Sequence, residues 1–164
     1  MLFTGRFSRS VDDKFRVAIP KPFRTALGPG EKSVLYVAPG LDGSLALYPE
    51  EAFAKVAERL ASGSPTARDV RAFSRLFYAQ TQATELDGQG RIRLPAESVC
   101  YAGIAGEALL IGVHDHIELW NPQRWEAYAA DRQPHFDEIA ESAFGQIVRP
   151  TRSPAVPDSQ SPAI

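Results

Sequence analysis

The sequence has little of several features that would place it in a specialised class of protein. A single cysteine among 164 residues cannot form an internal disulfide, which excludes a disulfide-stapled fold. Charged residues or prolines interrupt every apolar stretch before it reaches the roughly 18 to 20 residues that a membrane span needs. The chain also opens without the basic segment and apolar run of a secretory leader. We therefore expect a cytoplasmic protein without a membrane anchor.

The chain also lacks a large excess of charge of one sign, because its formal net charge is only −2. This value excludes a uniformly basic nucleic-acid-binding protein, but the basic residues are unevenly distributed. The first 30 residues carry two acidic residues, Asp12 and Asp13, and six basic ones, namely Arg6, Arg9, Lys14, Arg16, Lys21 and Arg24. Such a segment fits either a face that meets an anionic partner or an ordinary solvated strand.

Signatures of catalysis and metal binding are absent from the sequence. Neither a Gly-x-Gly-x-x-Gly pattern nor a phosphate-binding loop occurs, so we expect no enzyme, no cofactor and no small-molecule substrate. His114 and His116 could bind zinc, but they lack a third ligand at a suitable spacing, and we interpret the segment as a hairpin tip without a metal. Cys100 is expected to be a buried apolar residue.

An internal repeat is the most informative feature that is present. The segment Asp12–Pro20 returns as Asp87–Pro95 with the spacing Asp-x-x-x-Arg-x-x-x-Pro in both copies. A second block, Leu45–Pro49, returns as Ile117–Pro122 in the same order. Each copy is too small to bury its apolar face well, so we expect the two copies to pack together.

Each copy predicts a strand, a tight turn at the Asp, a short strand, a helix that begins after Pro, a hairpin and a second helix. The predicted domains are residues 1–62, a connecting helix at 63–82, residues 83–145 and a disordered tail at 146–164. The connecting helix is expected to start with a capping box of Thr66 and Asp69. Its predicted buried stripe consists of Val70, Phe73, Leu76 and Phe77. Four aromatic residues at matching places in the copies predict core or subunit-interface packing: Tyr48, Phe53, Trp120 and Trp125.

The repeated turn predicts a nucleic-acid contact. Asp12 and Asp87 can hold the turn by accepting hydrogen bonds from backbone amides, and Gly88 and Gly90 can adopt a positive φ. The Arg that follows can present its planar guanidinium group to phosphate oxygens or to a guanine edge. The predicted DNA-contacting residues are Arg16 and Arg91, with Lys14, Arg93 and Gln89 in support.

At these residues the chain resembles the MraZ family, whose two halves are SpoVT/AbrB-like, and the resemblance covers about residues 1–145. It implies an α+β fold in which two tandem repeats form a double swapped-hairpin β-barrel with flanking helices. It also implies a ring-shaped homo-oligomer that binds double-stranded DNA at direct repeats upstream of the division and cell wall gene cluster, including its own gene. A location in the cytoplasm at the nucleoid follows from that role.

Phe15 departs from the family pattern, because Gly is usual at this place. The departure predicts a different turn geometry, backbone strain of about 1–3 kcal/mol in the first copy, or packing of Phe15 against a neighbouring subunit or a base. Lys14 in the first copy corresponds to Gln89 in the second, so we expect the first copy to contribute more affinity for DNA. The preferred hypothesis is a transcriptional repressor. The alternatives are a ring-forming scaffold whose basic hairpin docks an acidic protein and, disfavoured by the tandem copy, an antitoxin-like autoregulator.

Overall fold

The computed structural model describes residues 1–28 and 33–147, and these residues divide into two compact units between Ala127 and Tyr128. The predicted tail at 146–164 lies outside the described residues from position 148 onward. The first repeat contributes β1 (Arg6–Ser10), β2 (Arg16–Ala18), α1 (Lys21–Leu27), β3 (Val34–Pro39), β4 (Leu45–Pro49), α2 (Glu50–Ala61) and the connecting helix α3 (Arg68–Gln80). The second contributes β5 (Gln82–Glu85), β6 (Arg91–Arg93), α4 (Ala96–Ala102), β7 (Glu107–Val113), β8 (His116–Trp120) and α5 (Pro122–Arg132).

The two repeats exchange strands. Six strands form one antiparallel sheet in the order β1-β7-β8-β4-β3-β5, so the first strand of each repeat pairs with the hairpin of the other. The remaining strands, β2 and β6, pair as a separate two-stranded ribbon. The predicted α+β class with two interlocked repeats is confirmed. Within the described residues, however, the hydrogen-bonded strands form this sheet and ribbon and do not close into one barrel.

One hydrophobic core serves both repeats, which is how two small units become stable together. Val17 and Ile92, at equivalent places in the repeats, are 0% and 1% exposed and lie in the same apolar cluster. Phe23 of α1 adds edge-to-face contacts, its ring centroid lying 5.7 Å from that of Phe3 and 5.1 Å from that of Phe7. Each such buried side chain stabilises the fold by roughly 1.5–3 kcal/mol, before the entropy cost of ordering it.

The connecting helix forms, but two details predicted for it are wrong. Ala67 occupies the N-cap position without a side-chain hydrogen bond, and the Thr66 hydroxyl interacts with Ser64 instead of capping the helix. Only Phe77 of the expected stripe is buried, whereas Phe73 and Leu76 are 46% and 63% exposed. In a single chain, therefore, part of the apolar face of α3 remains open to solvent.

The hairpin formed by β7 and β8 has the predicted tip at His114 and Asp115. Burial opposes protonation of His116, but hydrogen bonds with Glu118 and Asp115 outweigh it, and the pKa of His116 is raised. Trp120 is buried and meets Trp125 edge to face, in agreement with the prediction of core packing. The prediction for Cys100 is wrong, because this residue is exposed on α4.

The second unit is described up to residue 147. It contains the end of α5, a 3₁₀ turn (Gln133–His135) and α6 (Phe136–Ile147), a helix that the sequence analysis did not predict. Three large apolar side chains in the described part of α6 are exposed: Phe136, Ile139 and Phe144. None of the helices in the described parts of the chain has the length and apolar character required to cross a bilayer.

Candidate nucleic-acid interface

The β2/β6 ribbon gathers the predicted arginines on one surface. Its antiparallel register places Arg16 opposite Arg93, Val17 opposite Ile92, and Ala18 opposite Arg91. Opposed residues share a face and alternate residues point to opposite faces. Val17 and Ile92 fill the core. The remaining four residues of the ribbon, three arginines and Ala18, therefore form its outward face. We call this set the ribbon face: Arg16, Ala18, Arg91 and Arg93.

The first turn leads into the ribbon and is held by Asp12. Oδ1 of Asp12 accepts hydrogen bonds from the backbone amides of Lys14 at 3.0 Å and Arg16 at 2.9 Å. The Arg16 Nε group donates to Oδ2 of the same carboxylate at 2.7 Å. The backbone amide of Phe15 closes the turn by donating to the Asp12 carbonyl at 2.9 Å. One carboxylate thus fixes both the turn and the direction of the Arg16 side chain.

The second turn repeats this arrangement. Oδ1 of Asp87 accepts from the amides of Gln89 and Arg91, both at 2.9 Å, and the Arg91 Nε group donates to Oδ2 at 2.8 Å. Nη2 of Arg91 also lies 2.8 Å from Oδ2. The Gly90 amide donates to the Asp87 carbonyl at 2.8 Å. Gly88 is exposed, with no atom within 4 Å of the position its Cβ would take.

These contacts stabilise the charged form of both carboxylates. The hydrogen bond from the Arg16 amide, followed by that from its side chain, lowers the pKa of Asp12 despite partial desolvation. The Arg91 amide and side chain lower the pKa of Asp87 in the same way. The carboxyl groups of Asp12 and Asp87 are therefore ionised at neutral pH, and each guanidinium group faces a full negative charge.

Phe15 adopts the same backbone conformation as the glycine at the equivalent place. Its φ is 57°, compared with 72° for Gly90, so the turn geometry is kept and the alternative of a different geometry is wrong. A bulky residue in this left-handed region costs roughly 1–2 kcal/mol. The half-buried Phe15 side chain packs against the hydrophobic core, and this contact offsets part of that cost.

The space around the two turns differs. A Cβ atom at Gly90 would lie 2.7 Å from Cδ of Arg24, so the Arg24 side chain crosses from the first repeat to cover the second turn. Arg24 stands four residues after Pro20, and the residue four places after Pro95 is the short, apolar Val99. The first turn thus accommodates Phe15 where the second accommodates an arginine. Arg24 does not stand out in the sequence, because only the fold brings it to the second turn.

The cations of this surface are not equally available. The Arg16 and Arg91 side chains are 33% and 28% exposed and paired with Asp12 and Asp87. Lys14 and Arg93 are exposed, and in the described part of the chain neither has an ion-pair partner. Gln89 is exposed as well and carries no charge. All five predicted contact residues are therefore at least partly accessible on the ribbon or its turns, but Arg16 and Arg91 are already bonded to a carboxylate.

This geometry suits the major groove of DNA. A two-stranded ribbon fits into the groove, and an arginine can bond the O6 and N7 atoms of guanine with two of its nitrogens. The Nη1 atoms of Arg16 and Arg91 have no hydrogen-bond partner among the residues described, and the Asp contacts hold both planes in place. Ordering the side chains before binding reduces the entropy cost of recognition. The described residues contain no cluster of three or more metal-ligating side chains.

The strand exchange and the arginine-bearing ribbon define an α+β protein of two interlocked repeats. The family model "MraZ protein, putative antitoxin-like" matches residues 2–76 and 77–147. Proteins named "Transcriptional regulator MraZ" are 43% identical over 129 residues in Thermomicrobium roseum and 36% identical over 140 residues in Finegoldia magna. The matched segments cover 78% and 85% of this chain and 87% and 95% of those proteins. The Rhodococcus opacus protein of that name is 37% identical over 147 residues, covering 90% of this chain and 100% of its own.

The chain belongs to the MraZ family, and its relatives are named as transcriptional regulators and not as enzymes. This confirms the resemblance noted at the repeated turn. The two family matches meet between Leu76 and Phe77, so the boundary between the matched segments falls inside α3.

Proposed function

We propose that this chain is a sequence-specific DNA-binding regulator, acting as a repressor of the division and cell wall gene cluster and of its own gene. It binds direct repeats upstream of these genes from the cytoplasm, at the nucleoid. The observation that supports this function best is the ribbon face, where three arginines lie on two short strands between two turns of the same geometry. Relatives named as transcriptional regulators support the same role.

Affinity requires more than one ribbon. A well-placed bidentate arginine contributes roughly 1–3 kcal/mol of discrimination between bases, and both Arg16 and Arg91 first have to share their charge with an Asp. A ring-shaped homo-oligomer supplies the rest, because neighbouring ribbons on successive DNA repeats raise avidity by roughly 10² to 10⁴. The exposed Phe73 and Leu76 side chains of α3 are apolar surface available for contact with a second copy.

The oligomer is tested by measuring the mass of the protein in solution with light scattering. Wild type is expected to be several times heavier than the 17.9 kDa chain. Leu76→Glu should lower the mass and weaken binding to a repeated DNA site, while Arg75→Ala, on an exposed residue of the same helix, is the matched control. A monomeric wild-type protein would contradict the ring.

DNA binding is tested by footprinting the DNA immediately upstream of this protein's own gene. We expect protection of short repeated elements, and at the lowest protein concentration that protects them in wild type, Arg16→Ala should give no protection without a change in oligomer mass. Lys55→Ala is the control, because Lys55 is paired with Glu51 on α2, a helix that packs on β3 and β4. Protection that persists in Arg16→Ala would refute the assigned role of Arg16.

A second candidate function is favoured by the carboxylates in the turns. Asp12 and Asp87 neutralise much of the charge of Arg16 and Arg91, so few cations remain free for phosphates. A few free cations would suit a ring-forming scaffold that docks an acidic protein. Salt dependence distinguishes the two, since the logarithm of DNA affinity falls by about 0.9 per contacted phosphate for each tenfold rise in salt. Absence of any affinity for duplex DNA at low salt would favour the scaffold.

A further inference from the structure

We propose that Ala18 and Arg93 fix the direction in which the ribbon lies on its DNA element. The inference rests on the proposed function and adds the residues that determine polarity. It follows from the register of the ribbon and from one difference between the repeats at that register.

The backbone of the ribbon is symmetric. Val17 and Ile92 stand at equivalent places in the repeats and are paired directly across the two strands. A twofold axis through this pair exchanges the strands and places Arg16 on Arg91 and Ala18 on Arg93. The exchange of outer strands in the six-stranded sheet obeys the same symmetry. A ribbon with matching side chains would look the same after a half turn, and could not distinguish the two directions of a DNA element.

The side chains break this symmetry at one pair. At one end of the ribbon Arg16 and Arg93 lie opposite each other, and at the other end Arg91 lies opposite Ala18. The first end thus offers two guanidinium groups, which suit guanine O6 and N7, whereas the second offers one guanidinium group and a methyl group, which suits the methyl of thymine. Arg93 is exposed and is not engaged in an ion pair with any described residue.

The other differences between the repeats lie in or beside the turns and are less suited to reading bases. Lys14 and Gln89 lie in the turns, beyond the paired strands, and a lysine that bonds a phosphate carries no sequence information. The Phe15 side chain packs against the core, and its counterpart Gly90 has no side chain to contact a base. The difference between Ala18 and Arg93 is the one that lies on the ribbon face itself.

The test is in vitro selection of duplexes from a random pool by the intact protein. Wild type is expected to select an asymmetric element. The bases selected at the Arg93 end should be enriched about tenfold over the same bases at the symmetry-related position of the element. Ala18→Arg, which places arginine pairs at both ends, and Arg93→Ala, which removes the pair, are each expected to reduce this ratio below about twofold. Both changes lie on the outward face, and circular dichroism and oligomer mass check that folding is unchanged.

A second readout uses the single cysteine of the sequence. Cys100 is exposed on α4 in the second repeat, so DNA cleavage by an iron chelate attached there marks the side of the element on which that repeat lies. On a duplex with one element, wild type should cleave on one side and both variants on two sides. A palindromic wild-type element, or variants that keep the wild-type asymmetry, would overturn the inference while leaving DNA binding intact. If wild type enriches no element at all, the proposed function fails instead.

Discussion

The two turns of the ribbon have the same hydrogen bonds but different surroundings. In each, an Asp accepts from two amides and from the Arg that follows. The first turn carries Lys14 and the core-packed Phe15, while the second carries Gln89 and Gly90 beneath Arg24. The comparison shows that the Asp and Arg of the motif determine the turn geometry, whereas its other positions vary the charge and packing.

The difference also changes our expectation for affinity. From the sequence, Lys14 favours the first copy as the stronger binder. The structure places Arg24 beside the second turn and Arg93 on β6, where the first repeat has only Ala18. The two halves are therefore closer in positive charge than the motif alone indicates, and we expect both to contact DNA.

The largest predicted effect is the loss of DNA affinity when either of the two motif arginines is removed. Arg16→Ala and Arg91→Ala should each weaken binding to the specific element by about 10- to 100-fold, because each removes a base contact worth roughly 1–3 kcal/mol. The measurement is fluorescence anisotropy with a labelled duplex. A loss confined to Arg16→Ala would show that the halves differ in role, and Lys55→Ala, the cation already paired on α2, should bind like wild type.

The backbone of the second turn is tested by two glycine substitutions. Gly90→Ala should lower the free energy of unfolding by about 1–2 kcal/mol, since Ala is disfavoured at a φ of 72° and its Cβ would meet Arg24. Gly88→Ala is the matched control, because no atom lies near its Cβ position. Urea denaturation measures both. Equal stabilities of the two variants would mean that the positive φ of Gly90 carries no cost.

The charge difference between the turns predicts a smaller effect on salt dependence. Lys14→Ala should reduce the slope of log affinity against log salt by about 0.9, as expected for the loss of one phosphate contact. Gln89→Ala at the equivalent place should leave that slope unchanged, because no charge is removed. Affinity is measured over a series of salt concentrations. Identical slopes for Lys14→Ala and wild type would exclude Lys14 from the phosphate contacts.

The smallest predicted effect is the response to acid. The lowered pKa values of Asp12 and Asp87 mean that their stabilising contribution is fully present above the ordinary carboxyl pKa of 3.8 and is lost as pH falls through the lowered native values. Asp12→Asn combined with Asp87→Asn should therefore be less stable than wild type at neutral pH, and the gap should shrink in strong acid.

Urea denaturation at neutral pH and well below pH 3.8 measures this gap. Asp13→Asn serves as the control, since Asp13 forms no hydrogen bond to any described residue. A gap that stays constant with pH would show that the two carboxylates do not stabilise the turns through their charge.

The sequence predicted those parts of the fold that depend on local patterns. The repeated Asp and Arg spacing, the prolines that start helices and the hairpin tip at His114 are local signals, and the corresponding elements form. The strand exchange could be expected only through the family resemblance, because periodicity does not say which copy pairs with which. The capping box at Thr66 failed since the backbone there places Ala67 at the N-cap.

The candidate site was predictable in its residues but not in its electrostatics. The motif itself indicated Arg16 and Arg91, yet their pairing with Asp12 and Asp87 depends on side-chain geometry that spacing does not reveal. Arg24 was missed because it comes from a helix of the other repeat. Such contacts between distant residues follow from the packing of the two copies.

The central claim is that both turns and the ribbon between them contact DNA, and photo-cross-linking tests it most directly. Protein bound to bromodeoxyuridine-substituted duplex is irradiated, digested and analysed by mass spectrometry. Cross-linked peptides are expected from both residues 12–18 and residues 87–93. Cross-links confined to other segments, such as α2 or α3, with both turns free, would contradict the claim.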